Sequence, residues 1–184
     1  SDLSFVSTGR TTEILPFCRL DTGHSALEVI MNVKDITSRD IWQAKKRIPP
    51  FVTRTPLVYS PVLSEMTGAN VYLKMENLQE IGAFKVRGAA NKIASLSNEE
   101  KKNGVSTFST GNHGMAVAYI ANKLGIEATV CMSKHVPQVK VKNIKRWDAT
   151  IRQDWDSQDA AGEYCYELER EKGVTVIPPF DDKE

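Results

Sequence analysis

From residue 36 onward, short apolar runs alternate with amphipathic stretches, and the change of period predicts the elements one after another. Ile36, Ile41, Ala44 and Ile48 recur at helical spacing behind Thr37 and Asp40, which are placed for a reciprocal N-terminal cap. Strands are predicted over 57–59, 71–75, 105–108, 128–132, 149–152 and 174–177. Helices are predicted over 61–67, 85–96, 113–124, 138–147 and 157–172, with a short acidic-capped one from Asn98; Gly68 and Gly125 stop two of them. Strands separated by helices of this length need crossover connections, which favour parallel pairing. The expected class is α/β: two open parallel-type sheets flanked by helices, with a smaller domain (104–172) inserted into a larger, here incomplete, domain (36–103 and 173–184). Residues 1–35 hold no persistent period and are broken by Gly9, Pro16 and Gly23. They are expected to be an irregular extension ahead of a natural start at Met31.

Composition narrows the function classes. A chain of 184 residues that is 41% hydrophobic can bury a substantial core. With 24 basic against 23 acidic side chains the formal charge is +1, which supplies no field for nucleic acid or an anionic membrane. Lys134, Lys140, Lys142, Lys145 and Arg146 surround one predicted helix without interleaved aromatic residues, the pattern of a solvated face. No apolar run approaches the length of a membrane span, and no secretory signal opens the chain. Cys18, Cys131 and Cys165 are odd in number and far apart, which fits a reducing, cytoplasmic compartment. His24, His113 and His135 form no ligand pairs with them, so no metal site is expected.

Two strand-to-helix turns carry the chemistry. In the first, Lys85 follows Phe84 and precedes Val86, Arg87 and Gly88 at a predicted helix start. A lysine amine becomes an imine-forming nucleophile when it is neutral near pH 7, and apolar neighbours with the positive end of a helix favour that form. In the second, Ser109-Thr110-Gly111-Asn112-His113-Gly114 breaks from strand through glycine into helix. Glycines there let backbone N–H groups converge on an anion such as a carboxylate or a phosphate, with two hydroxyls as further donors. Each turn alone is also an ordinary strand–helix junction. The pair, in adjacent strand–helix units, suggests imine chemistry on an amino acid.

KMENLQEIGAFKVRGA (74–89) together with STGNHGMAVAYIA (109–121) resembles the tryptophan-synthase-β-type, or fold-type II, group of pyridoxal-phosphate enzymes, in its threonine/serine dehydratase branch. RTPL (54–57), VPQVKVKNIKRWDA (136–149) and PPFDD (178–182) extend the likeness in the right order. CMSKHVP (131–137) and the Ser157-Gln158-Asp159 step are similar to the hydroxyectoine-utilisation dehydratases within that branch. The resemblance implies pyridoxal phosphate as cofactor, Lys85 as its Schiff-base lysine and substrate base, Phe84 against the cofactor ring and Asn112 on its ring oxygen. Ser109, Thr110, Gly111 and His113 would hold the carboxylate of a small amino-acid substrate. The implied reaction is loss of water from a hydroxy-amino acid such as threonine or serine, ending in a keto acid and ammonia. The complete form is expected to be a homodimer or larger.

Departures from the family pattern set further expectations. Ile81-Gly82-Ala83-Phe84-Lys85 stands where the family usually has Thr-Gly-Ser-Phe-Lys, so two hydroxyls beside the lysine are missing. Asp148 replaces a glycine, which strains the backbone if a left-handed conformation is needed there. The family's run of phosphate-binding glycines and its later partner for the pyridine nitrogen do not occur in the chain, which is therefore expected to be an N-terminal portion, inactive alone. A racemase or β-replacement synthase of the same fold, and a non-catalytic assembly module, stand as alternatives.

Overall fold

A computed structural model describes residues 5–6 and 36–180. The expected start at Met31 lies outside the described residues. Among those described, the chain forms two compact units: one from 5–6, 36–44 and 56–75, the other from 45–55 and 76–180.

In the smaller unit, β1 (Phe5–Val6), β2 (Leu57–Tyr59) and β3 (Tyr72–Lys74) form a sheet in the order β1-β3-β2. Both pairings are antiparallel, where the sequence led us to expect parallel ones, and β1 lies in the stretch expected to be irregular. The connection between β2 and β3 explains the direction. Ser60 caps α2 (Pro61–Thr67) through its Oγ, with proline at the first helical position, and Gly68 ends that helix at φ 68°. The Ser60 N–H then donates to Val71 O at 2.9 Å, so the chain enters β3 at the end where it left β2.

α1 (Ser38–Arg47) begins with the expected reciprocal cap: Thr37 N–H donates to Asp40 Oδ2 at 2.7 Å, and Asp40 N–H to Thr37 Oγ1 at 3.4 Å. The Thr37 hydroxyl, which also donates to Asp40 Oδ2, and then the Thr37 N–H hold the Asp40 pKa below the usual value. The predicted apolar face is used only at its end: α1 buries none of its residues and Ile41 is 64% exposed, while Ile48 just beyond it packs half-buried against the main core of the larger unit.

The larger unit holds α3 (Lys85–Ser95), α4 (Asn98–Asn103), β4 (Val105–Phe108), α5 (Asn112–Leu124), β5 (Ala128–Ser133), α6 (Gln138–Lys145), β6 (Thr150–Trp155), α7 (Gln158–Lys172) and β7 (Thr175–Val176). Its sheet is wholly parallel, in the order β6-β5-β4-β7. Helices cover both faces, as parallel sheets require. On one face Val105, Val130 and Met132 join Val86, Ile93, Val117, Ile120, Val141 and Ile144 in the main core. On the other, Cys131 meets Ala161, Cys165 and Val176, with Phe108, Trp155 and Tyr164 against them.

A register shift beside β6 changes which face its side chains reach: Cys131 pairs with Arg152 but Ser133 with Trp155, so β6 carries one extra residue. Ile151 therefore packs on the main core and Trp155 on the opposite one. The basic residues of α6 are exposed while Val141 and Ile144 turn inward, as the solvated-face reading expects. β7 is the parallel neighbour of β4, so 175–176 share a sheet with the 104–172 stretch.

Candidate active site

The site forms at the carboxyl ends of β4 and β7, where open α/β sheets bind ligands. The turn before α3 is made by Gly82, at φ 71°, whose N–H donates to Gln79 O at 2.8 Å. Ile81 and Ala83, on either side of it, are 7% and 4% exposed and belong to the main core. They occupy the places where the family's hydroxyls were expected, and apolar packing takes over there. Phe84 is left 42% exposed beside Lys85.

An open cavity of about 210 Å³ is lined by Phe84, Lys85, His113 and the Ile177–Phe180 segment, with Gly88, Ala89 and Lys92 along α3. Lys85 Nζ donates to Pro179 O at 3.1 Å. Its amine lies 5.8 Å from the Phe84 ring centroid and 5.3 Å from that of Phe180. Two aromatic faces and a carbonyl thus hold the amine at the cavity wall.

The second turn joins β4 to α5. Gly111 N–H donates to Ser109 Oγ at 3.4 Å, and α5 begins without any other side-chain cap. Ser109, Thr110 and Gly111 are half-buried, Asn112 is exposed and His113 is buried. The His113 ring donates from Nε2 to Ile177 O at 3.0 Å, tying the start of α5 to the end of β7. Gly114 is needed for another reason than its N–H: a Cβ there would stand 2.4 Å from Ser109 O. Of the residues singled out from sequence, Phe84, Lys85 and His113 line the cavity; Ser109, Thr110, Gly111 and Asn112 form the turn leading to His113 and are not in its wall.

Sequence reasoning missed three features. Pro179 and Phe180 were noticed only as part of PPFDD, with no sign that they meet the lysine. Lys92 lines the same wall, and its helical spacing from Lys85 was a usable signal. Glu76, 5% exposed, accepts from both Arg87 Nε and Nη2 at 2.8 Å, from Thr55 Oγ1 at 2.6 Å and from Gln79 Nε2 at 3.1 Å. These bonds, led by the Arg87 guanidinium, bring the Glu76 carboxyl down to about 2. No group of histidine, cysteine and carboxylate residues among those described could hold a metal ion.

A model of the family described as "Pyridoxal-phosphate dependent enzyme" matches residues 48–184. The chain belongs to this family. It is 44% identical over 147 residues to the L-threonine ammonia-lyase of Thermotoga maritima, a match covering 80% of this chain and 37% of that protein. Among solved structures, serine racemase from Dictyostelium discoideum is similar at TM-score 0.75 and 35% identity, over 80% of this chain and 48% of the other. Threonine deaminase isoform 2 from Solanum lycopersicum is similar at TM-score 0.73 and 29% identity, over 94% and 47%. The chain spans less than half the length of the curated relatives it matches.

The residues present fit the family's cofactor. A primary amine lies at the wall of an open cavity, an exposed aromatic ring stands next to it, and a glycine-containing turn at a helix start follows β4. No helix among the described residues is long and apolar enough to cross a membrane.

Proposed function

We propose that the complete protein is a pyridoxal-phosphate-dependent dehydratase, or ammonia-lyase, acting on a small hydroxy-amino acid such as threonine or serine. The observation that carries this reading is the Lys85 amine at the cavity wall, between the Phe84 and Phe180 rings and beside His113. The threonine ammonia-lyase relative supports it from sequence.

Lys85 would hold the cofactor covalently through Nζ, Phe84 would cover its ring and Asn112 would donate to its ring oxygen. When bound, the cofactor supplies an electron sink for the pair left when the substrate's α-proton departs. Nζ of Lys85 would take that proton and pass it to the β-hydroxyl, which would leave as water. Ser109 and Thr110 hydroxyls and the N–H groups of Gly111 and His113 would hold the substrate carboxylate. His113 contributes through its backbone, because its ring Nε2 is engaged by Ile177 O.

The remaining assignments belong to the same proposal. They are a cytoplasmic homodimer or larger assembly, no nucleic-acid partner, a 36–103/173–184 domain enclosing a 104–172 domain, and a narrower kinship with hydroxyectoine-utilisation dehydratases. The chain alone is expected to be inactive. A racemase is the second reading, favoured by the likeness to serine racemase.

The test is to add pyridoxal phosphate to the purified chain and to its Lys85→Ala variant. A visible absorption band that needs Lys85 is expected; a band of equal size in the variant would remove Lys85 from its role. Joined to the C-terminal part of the Thermotoga maritima relative, the chain should release keto acid and ammonia from threonine or serine. Inversion of serine without keto acid would select the racemase.

A further inference from the structure

The helix that carries Lys85 begins without a side-chain cap, since Phe84 at its N-cap makes no capping hydrogen bond. Another device must set the rotation of α3 about its axis, and that rotation decides where Nζ points. The residues of α3 divide among three faces. Lys85, Gly88, Ala89 and Lys92 face the cavity. Val86, Ala90 and Ile93 are wholly buried in the core. Arg87 and Asn91, one turn apart, make the third face, and both are bonded to fixed partners: Arg87 to Glu76, and Asn91 Oδ1 to Arg47 Nη1 at 2.6 Å.

Glu76 is itself immobilised. Besides Arg87 it accepts from Thr55 and Gln79, and the Gln79 amide holds Thr53 in both directions, accepting from its N–H at 3.0 Å and donating to its carbonyl at 2.9 Å. Glu76, Gln79 and Thr55 are each at most 5% exposed. Apolar packing on the second face, where Val86, Ala90 and Ile93 are fully buried, opposes rotation by close contact but sets no directional bond. A bidentate guanidinium–carboxylate pair has a fixed plane and resists it strongly. A rotation of about 20° moves a side-chain tip about 6 Å from the helix axis by roughly 2 Å. A productive site tolerates only about 0.5 Å.

We propose that Arg87, clamped by Glu76, is a positioning residue for Lys85: the pair sets the rotation of α3 and so keeps Nζ between the Phe84 and Phe180 rings at the cavity wall. The proposal rests on the reading of Lys85 as the reactive amine. It assigns Arg87 no contact with substrate or cofactor.

The test reads the position of Nζ directly. Reductive ¹³C-methylation of the lysines keeps their charge and gives each an NMR signal. The Lys85 signal, assigned by its loss in Lys85→Ala, should be displaced by ring currents from Phe84 and Phe180, and that of exposed Lys102 should not. Three variants are compared with the wild-type chain: Glu76→Gln, Arg87→Lys, and the double variant Glu76→Met/Arg87→Met. The double variant removes both charges together, so that no buried ion is left unpaired.

In folded variants the Lys85 signal is expected to move to the position of Lys102, and capture of pyridoxal phosphate at Lys85, trapped with borohydride, to fall at least tenfold relative to Lys102. A folded double variant whose Lys85 signal stays at its wild-type position would overturn the proposal. A role in stability alone lowers the melting temperature without moving that signal. Should the wild-type chain fail to capture pyridoxal phosphate, the proposed function loses its support in this chain, while the ring-current readout still decides the positioning role.

Discussion

Nζ of Lys85 donates a hydrogen bond to the carbonyl oxygen of Pro179 at 3.1 Å, across 94 positions of sequence. The first residue of α3 is thereby joined to the segment following β7. The same segment reaches α5, because Ile177 O accepts from the His113 ring. The amine, the start of α5 and the end of the sheet thus form one connected group, and substitutions in it should act on more than local stability.

Acid should weaken the fold through Glu76. Its carboxyl lies near 2 in the folded chain against 4.5 as the ordinary value, so its contribution is complete above about pH 4.5 and is lost as pH falls towards 2. By linkage this amounts to roughly 3 kcal/mol. Urea unfolding at a series of pH values should show that decline in the wild-type chain, and a flatter profile over the same window in Glu76→Gln. Equal slopes in the two proteins would refute it.

Gly114→Ala should disturb the turn from within. The added Cβ would stand 2.4 Å from Ser109 O and 3.3 Å from Val130 Cγ1, so backbone has to move. Overpacking of this kind costs about 1–3 kcal/mol. A lower melting temperature is expected, with altered amide signals at Ser109 and Thr110. The same substitution at Gly88, where a Cβ meets nothing within 4 Å, is the control.

Asp148 stands at φ 56°, the left-handed conformation its glycine-like place demands, and accepts from Asn122 Nδ2 at 3.1 Å. Relief of backbone strain in Asp148→Gly is offset by loss of that exposed bond and by added freedom of the unfolded chain, so its stability should stay within about 1 kcal/mol of wild type. Asp148→Val should lose about 1–2 kcal/mol, because a β-branched residue fits this region poorly. Thermal unfolding of the two variants separates them; equal melting temperatures would contradict the assignment.

Cys131 and Cys165 should resist alkylation in the native chain. Both are 0% exposed, and the hydrogen bond that the Cys131 thiol donates to Cys165, with burial, pushes the Cys131 thiol upward from its ordinary value. Peptide mapping after iodoacetamide treatment at pH 8 should find them modified only once denaturant is added. Rapid native labelling of either would show that the second core opens readily.

Much of the fold could be read from residues because its signals are local. Helix starts at Ser60, Ser97 and Ser157 and stops at Gly68, Gly125 and Gly173 are written in capping chemistry within one turn. Strand direction was less accessible. β2 and β3 have a helix between them, as parallel strands do, yet the Ser60–Val71 hydrogen bond brings the chain back antiparallel. Of the site, Phe84, Lys85 and the 109–114 turn were recognisable from glycines and charge at two junctions. Glu76 and Gln79 read as ordinary polar residues, because nothing near them in sequence announces that Thr55, Thr53 and Arg87 will surround them.

By itself the sequence determined the elements, their α/β order, the family and the lysine, since periodicity, caps and motif residues act over a few neighbouring positions. Only the tertiary structure decided that Phe180 and Pro179 close on Lys85 and that Ile81 and Ala83 serve the core. Those outcomes depend on which strand ends lie side by side. Sheet pairing between β4 and β7 settles that across some seventy residues, and no local pattern encodes it.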